Sequence, residues 1–124
     1  MKKKTIAVIG LGYVGLPLTV ALSRKFEVIG FDKSLERVSE LETGFDRTGE
    51  VSKEELALIN NIKFTTYEND INVADIYIIA VPTPVDKKNV PDFKHLINAS
   101  EIVGTNLTED NIVIYESTVY PGAT

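Results

Sequence analysis

Two rhythms of apolar residues alternate along this chain. Short, nearly unbroken apolar runs rich in β-branched residues are separated by stretches in which apolar positions recur every three or four residues. Thr5-Ile6-Ala7-Val8-Ile9 is the first such run, the kind that forms a strand buried on both faces of a parallel sheet. Glu27-Val28-Ile29-Gly30-Phe31 predicts a second strand, Ile62 to Thr66 a third, Asp75 to Val81 a fourth and Asn111 to Tyr115 a fifth. Helical periodicity predicts a helix from Tyr13 to Lys25, on Val14, Leu18, Ala21 and Leu22, with Pro17 in its first turns, where a missing N–H costs least. Ser34 is a natural N-cap for a helix from Leu35 to Thr43, with Gly44 as its stop. Ser52-Lys53-Glu54-Glu55 has the capping-box pattern and opens a helix to about Asn60. Asp92 is placed to cap a last helix from Phe93 to about Leu107. Tyr77 and Tyr115, lying within strands, are expected in the core. Strands alternating with helices imply βαβ units, hence a Rossmann-type α/β fold: a doubly wound, mainly parallel sheet in three layers.

Composition narrows this picture little. The 124 residues fit one domain, 44% of them apolar and 25% charged. A net charge of −5 argues against nucleic acid and against an anionic membrane surface. It does not exclude a nucleotide, since a helix N-terminus holds phosphate without net positive charge. No cysteine is present, which excludes disulfides, thiolate metal sites and thiol nucleophiles within the chain and fits a cytoplasmic protein. No metal site is expected. Met1-Lys2-Lys3-Lys4 before an uncharged run to Leu22 imitates a signal peptide, but Gly10, Gly12, Gly15 and Pro17 make a turn the better reading.

Those glycines carry the chemistry. Gly10-Leu11-Gly12-Tyr13-Val14-Gly15 matches G-x-G-x-x-G after a strand and before a helix, the dinucleotide-binding context. Gly10 permits the tight turn, Gly12 leaves room for a pyrophosphate, and Gly15 lets helix and strand pack closely. The N–H groups of Tyr13 and Val14 are expected at the helix start, where the dipole favours negative charge. Asp32 ends the second strand about 20 residues after the first glycine, placed to accept hydrogen bonds from the adenosine ribose and to favour NAD over NADP. On the first 32 residues alone, a flavoprotein or an S-adenosylmethionine-dependent methyltransferase is also open.

Further motifs follow in order: Val81-Pro82-Thr83-Pro84, Pro91-Asp92 and Tyr115-Glu116-Ser117-Thr118-Val119-Tyr120-Pro121-Gly122. With the glycine loop they resemble the N-terminal NAD-binding domain of the UDP-glucose/GDP-mannose dehydrogenase family, over essentially the whole chain. The last motif, with Asp46-Arg47-Thr48-Gly49-Glu50-Val51 upstream, looks most like the UDP-N-acetylhexosamine 6-dehydrogenases of bacterial surface polysaccharide synthesis. The resemblance implies oxidation of a sugar C6 alcohol to a carboxylate with two NAD+, through a thiohemiacetal and thioester on a cysteine. In the family that cysteine, an assisting lysine and the UDP-sugar pocket lie beyond the stretch matched here, and the whole enzymes are usually homodimers. This chain is therefore expected to be a truncated cofactor domain, inactive alone, exposing an apolar patch through which it self-associates. Carried over residue by residue, Tyr13 and Val14 meet the pyrophosphate within the cofactor-binding loop of Gly10, Gly12 and Gly15, Asp32 holds the ribose and Arg37 flanks it. Pro82 and Thr83 touch the cofactor from the loop after the fourth strand. Ser117 and Thr118 lie near the nicotinamide, Thr118 also where a catalytic water is positioned. His95, the only histidine, is expected on a surface helix without a role, and the loop of Asp86, Lys87, Lys88 and Asn89 is expected to be solvated. A stand-alone NAD-sensing module is the alternative that the missing cysteine motivates.

Overall fold

The computed structural model describes residues 4–82, 88 and 93–116. Its centre is a five-stranded parallel sheet built from β1 (Thr5–Ile9), β2 (Glu27–Phe31), β3 (Ile62–Thr65), β4 (Ile76–Ile79) and β5 (Ile112–Tyr115). The strand order is β3-β2-β1-β4-β5, so the chain winds outward on one side of β1, then crosses back to build the other side. Ile9 pairs in register with Phe31 and with Ile79, which brings the C-terminal ends of β1, β2 and β4 to one edge of the sheet.

Both faces of the sheet are apolar, which is why its strands read as unbroken runs rather than alternating ones. One face carries Ala7, Ile9, Ile29, Phe31, Tyr77 and Ile79. These pack with Ala99, Ile102 and Val103 of α4 (Lys94–Asn106) and with Ile71 of a 3-10 segment, Glu68–Val73. The other carries Ile6, Val8, Val28, Ile78 and Ala80, against Leu18 and Leu22 of α1 (Gly15–Leu22). On that side a satellite cluster joins Leu11, Leu16 and Val20 to Val38 and Leu41 of α2 (Leu35–Glu42) and to Leu56 of α3 (Lys53–Ala57). Three layers result, as the alternation of elements predicts.

Caps fix several boundaries. The Ser34 hydroxyl accepts from Arg37 N–H at 3.1 Å, and the Ser52 hydroxyl accepts from Glu55 N–H at 3.1 Å. Helix α1 is shorter than its periodicity predicts: Tyr13 and Val14 belong to the turn before it, and Arg24 and Lys25 to turns after it, their N–H groups reaching back three residues. Tyr77 lies in the core as expected, wholly buried, its hydroxyl donating to Ile71 C=O at 2.9 Å. Burial, with the nearby Asp75 carboxylate, pushes that phenol's pKa up. Tyr115 corrects the sequence reading. It is 54% exposed, because β5 is an edge strand of this sheet, and Ile112 and Ile114 beside it are exposed too. Among the described residues no helix is long and apolar enough to cross a membrane, and the Thr5 to Ile9 run is a buried strand.

Candidate functional site: a cleft at the carboxyl ends of the strands

A cleft of about 710 Å³ opens at the edge where β1, β2 and β4 end. The sheet reverses its winding there, between β1 and β4, the position at which open α/β sheets hold ligands. Gly10, Gly12, Asp32 and Pro82 all line the cleft.

The three glycines have separable reasons. Gly10 has φ +102°, and a Cβ there would lie 3.0–3.1 Å from Val81 and from the Ala80 backbone. Gly15 is required by close approach: a Cβ would sit 1.6 Å from Gly10 O. Gly12 is different. A Cβ there would meet nothing within 4 Å, and the residue faces the cleft. Protein packing therefore demands the first and third glycines, while the space beside the second is free for a ligand. Helix α1 starts behind this loop with Val14 as N-cap, no side-chain cap and no acidic residue in its first turn. Its N-terminal partial positive charge is left for an anion.

Asp32 is tied into the loop. Its Oδ2 accepts from Leu11 N–H at 2.9 Å and its Oδ1 from Ser34 N–H at 2.9 Å. A carboxylate offers about four lone-pair sites, so acceptor capacity remains for hydroxyls of a ligand in the cleft. Arg37, carried over as the residue that flanks the ribose, is held by the protein itself. Its Nε donates to Leu11 C=O at 2.7 Å, and its Nη1 pairs with Glu40 at 2.8 Å and Asp46 at 2.9 Å. Its side chain is 11% exposed and is not on the cleft lining. The guanidinium grips the glycine loop from behind because two carboxylates on that side outcompete solvent for it.

Asp46 is the hub of this grip. Its carboxylate also accepts from Thr48 N–H (3.0 Å), the Thr48 hydroxyl (2.7 Å) and Val51 N–H (3.0 Å). Burial pushes its pKa up, but the bonds from Thr48, Val51 and Arg37 outweigh that and leave it below the usual carboxylate value. Glu40 is likewise held low: burial raises it, and bonds from Arg47 and Arg37 lower it further. The same pairing with Glu36 and Glu40 raises Arg47.

Of the sequence-derived site residues, Gly10, Gly12, Asp32 and Pro82 line the cleft; Tyr13, Val14, Gly15 and Arg37 build the loop and its support. Thr83, Ser117 and Thr118 lie outside the described residues, as does the expected Asp92 cap. Lys94, His95 and Asn98 also line the cleft, contributed by the first turns of α4. His95 is exposed as expected, yet it faces this cleft. The signal was available: His95, Asn98, Ala99 and Ile102 recur at helical spacing, and one face of that helix covers the end of the sheet.

Residues 4–124 match the sequence profile described as "UDP-glucose/GDP-mannose dehydrogenase family, NAD binding domain". Protein CapL of Staphylococcus aureus is 54% identical over 121 residues, which is 98% of this chain and 28% of that protein. The UDP-N-acetyl-D-glucosamine 6-dehydrogenase of Pseudomonas aeruginosa is 48% identical over 124 residues, 100% of this chain and 29% of that one. Among solved structures, the UDP-D-ManNAc dehydrogenase of Pyrococcus horikoshii superposes with a TM-score of 0.83 at 32% identity, covering 97% of this chain and 30% of that one. The chain thus spans less than a third of the length of the relatives it matches.

Proposed function

The chain belongs to the UDP-glucose/GDP-mannose dehydrogenase family, as its NAD-binding domain, and from that premise we propose that it is the cofactor-holding part of an enzyme that oxidises the C6 hydroxyl of a UDP-N-acetylhexosamine to the uronic acid. The observation that carries this reading is the open space beside Gly12 in a cleft that Asp32 also lines. That shape and that donor set fit NAD. The pyrophosphate would lie against Gly10, Gly12 and the Tyr13–Val14 turn, on the uncapped end of α1. The spare lone pairs of Asp32 would take the adenosine ribose hydroxyls, and its charge would disfavour a 2′-phosphate. When bound, one NAD+ would supply the hydride acceptor for the alcohol and a second NAD+ the acceptor for the thiohemiacetal.

The chain's own part is to orient the dinucleotide and to set the position of its nicotinamide end, with Thr83, Ser117 and Thr118 proposed on that side. It has no cysteine, so we assign the covalent step and the UDP-sugar pocket to residues outside these 124. The relatives named for UDP-N-acetylhexosamines support the substrate class. We further propose a cytoplasmic, homodimeric whole enzyme. The matched family and relatives support neither the methyltransferase nor the stand-alone sensor.

Calorimetric titration of the chain with NAD+, alongside NADP+ and S-adenosylmethionine, tests the cofactor assignment. Selective heat with NAD+ is expected. Binding of S-adenosylmethionine in its place would overturn it.

A further inference from the structure

We propose that Asp46 is a positioning residue for cofactor binding, acting through Arg37 on the Leu11 peptide of the glycine loop; this rests on the NAD reading above. Leu11 N–H donates to Asp32 and Leu11 C=O accepts from Arg37, at 2.9 and 2.7 Å, so both sides of the residue are held by charged groups. The loop between Gly10 and Gly12 thereby has a fixed orientation before any ligand arrives, which lowers the ordering cost of binding.

Arg37 in turn has no freedom. Its side chain is mostly buried, and its position is set by Glu40, one residue-turn along the same helix, and by Asp46, whose side chain is 0% exposed. The Nη2 of Arg37 is buried without a hydrogen-bond partner among the described residues, so the guanidinium is desolvated and depends on these two carboxylates for its charge balance. Asp46 is independently anchored by the turn that follows it, through Thr48 and Val51, and Val51 is packed in the Leu11 cluster. The segment Asp46-Arg47-Thr48-Gly49-Glu50-Val51 is thus a clasp that closes on the back of the glycine loop, and none of its residues is among the described residues that line the cleft.

The experiment compares NAD+ affinity by calorimetric titration in the unaltered chain and in Asp46→Asn, Arg37→Lys, the double variant, and Asn61→Ala. Asn61 braces the Ser23 and Phe26 carbonyls at the opposite, N-terminal end of the strands, so its variant loses stability without touching the loop. Asp46→Asn and Arg37→Lys should each raise the NAD+ Kd about tenfold, the scale of one charge-assisted hydrogen bond. The double variant should be no weaker than the weaker single one, since both act through one contact. The amide resonance of Gly12, which shares its peptide with the Leu11 carbonyl, should move in both single variants and stay put in Asn61→Ala.

A Kd in Asp46→Asn within twofold of the unaltered chain would overturn the proposal. So would an equal rise in Asn61→Ala, which would assign the effect to stability alone. If the unaltered chain bound no NAD+, the cofactor reading would fail by itself; the Gly12 resonance would then decide the clasp, and an unmoved signal in Asp46→Asn would refute it.

Discussion

Replacing Gly12 and Gly15 separately by Ala should split binding from stability. At Gly15 the new Cβ would lie 1.6 Å from Gly10 O and 2.7 Å from Gly10 C, against the 3.0 Å that real Cβ contacts respect. Both atoms are backbone, and Gly10 is held by its N–H bond to Phe31 C=O at 2.8 Å, so no side chain can swing aside. The helix must move off the strand by roughly an ångström, an overpacking strain of about 3 kcal/mol. Ala gains back up to about 1 kcal/mol by restricting the unfolded chain, leaving a net loss of about 2 kcal/mol. For a chain of this size that lowers Tm by about 8 °C. At Gly12 the same methyl meets no protein atom within 4 Å, so stability should stay within about 0.5 kcal/mol. There the Cβ enters the space we propose for the pyrophosphate, and NAD+ affinity should fall at least about tenfold, one desolvated or displaced phosphate contact. Thermal melts and calorimetric titration on the two variants read both quantities. A Gly12→Ala chain that binds NAD+ as before would refute the assignment of that space; a Gly15→Ala chain with an unchanged Tm would refute the packing argument.

Ser52→Ala removes the side-chain cap of α3, far from the cleft, and should cost about 1 kcal/mol, or about 4 °C in Tm, with NAD+ affinity unchanged. The carboxyls of Asp46 and Glu40 have folded-state pKa values below their ordinary ones, so the unfolded chain binds protons more readily. Their stabilisation is present in full above about pH 4–5 and is lost as pH falls through the folded values. Melts taken from pH 7 down to pH 3 should show Tm dropping below about pH 4, with a shallower drop in Asp46→Asn; equal slopes would refute the role of Asp46 in that loss.

Much of this architecture is legible in the sequence, for physical reasons that differ by element. The strands announce themselves because a sheet covered on both faces needs unbroken apolar runs such as Thr5 to Ile9 and Ile76 to Ile79. Serine caps at Ser34 and Ser52 mark two helix starts by their own chemistry. The 3-10 segment Glu68–Val73 is invisible beforehand, since only Ile71 of it is buried and no helical period exists to be read. Helix ends are misjudged where tight three-residue turns continue the pattern, as at Leu58 and Ile59 after α3. The glycine loop and Asp32 are legible because the fingerprint fixes backbone geometry locally. The pairing of Arg37 with Asp46 is not: Asp46 lies nine residues away across a loop, and no periodicity links the two. Tyr115 misleads because a β-branched, aromatic run reads the same in a central strand and at an edge.

The glycine loop is complete only when distant chain joins it. Its residues all lie early in the sequence, yet Gly10 rests against Ala80 and Val81, and Ile9 C=O accepts from Ala80 N–H at 2.8 Å. The matching tie at the other end of β1 runs from Thr5 N–H to Asp75, across 70 residues. Closing a loop that long is an entropic cost met before any contact rewards it, and pairings of this kind are slow. The β1-α1-β2 unit can assemble from local contacts, but its turn lacks a backing wall until β4 arrives. During synthesis the glycine turn therefore emerges first and matures late, with its shape completed only at the closing of the central strand pair.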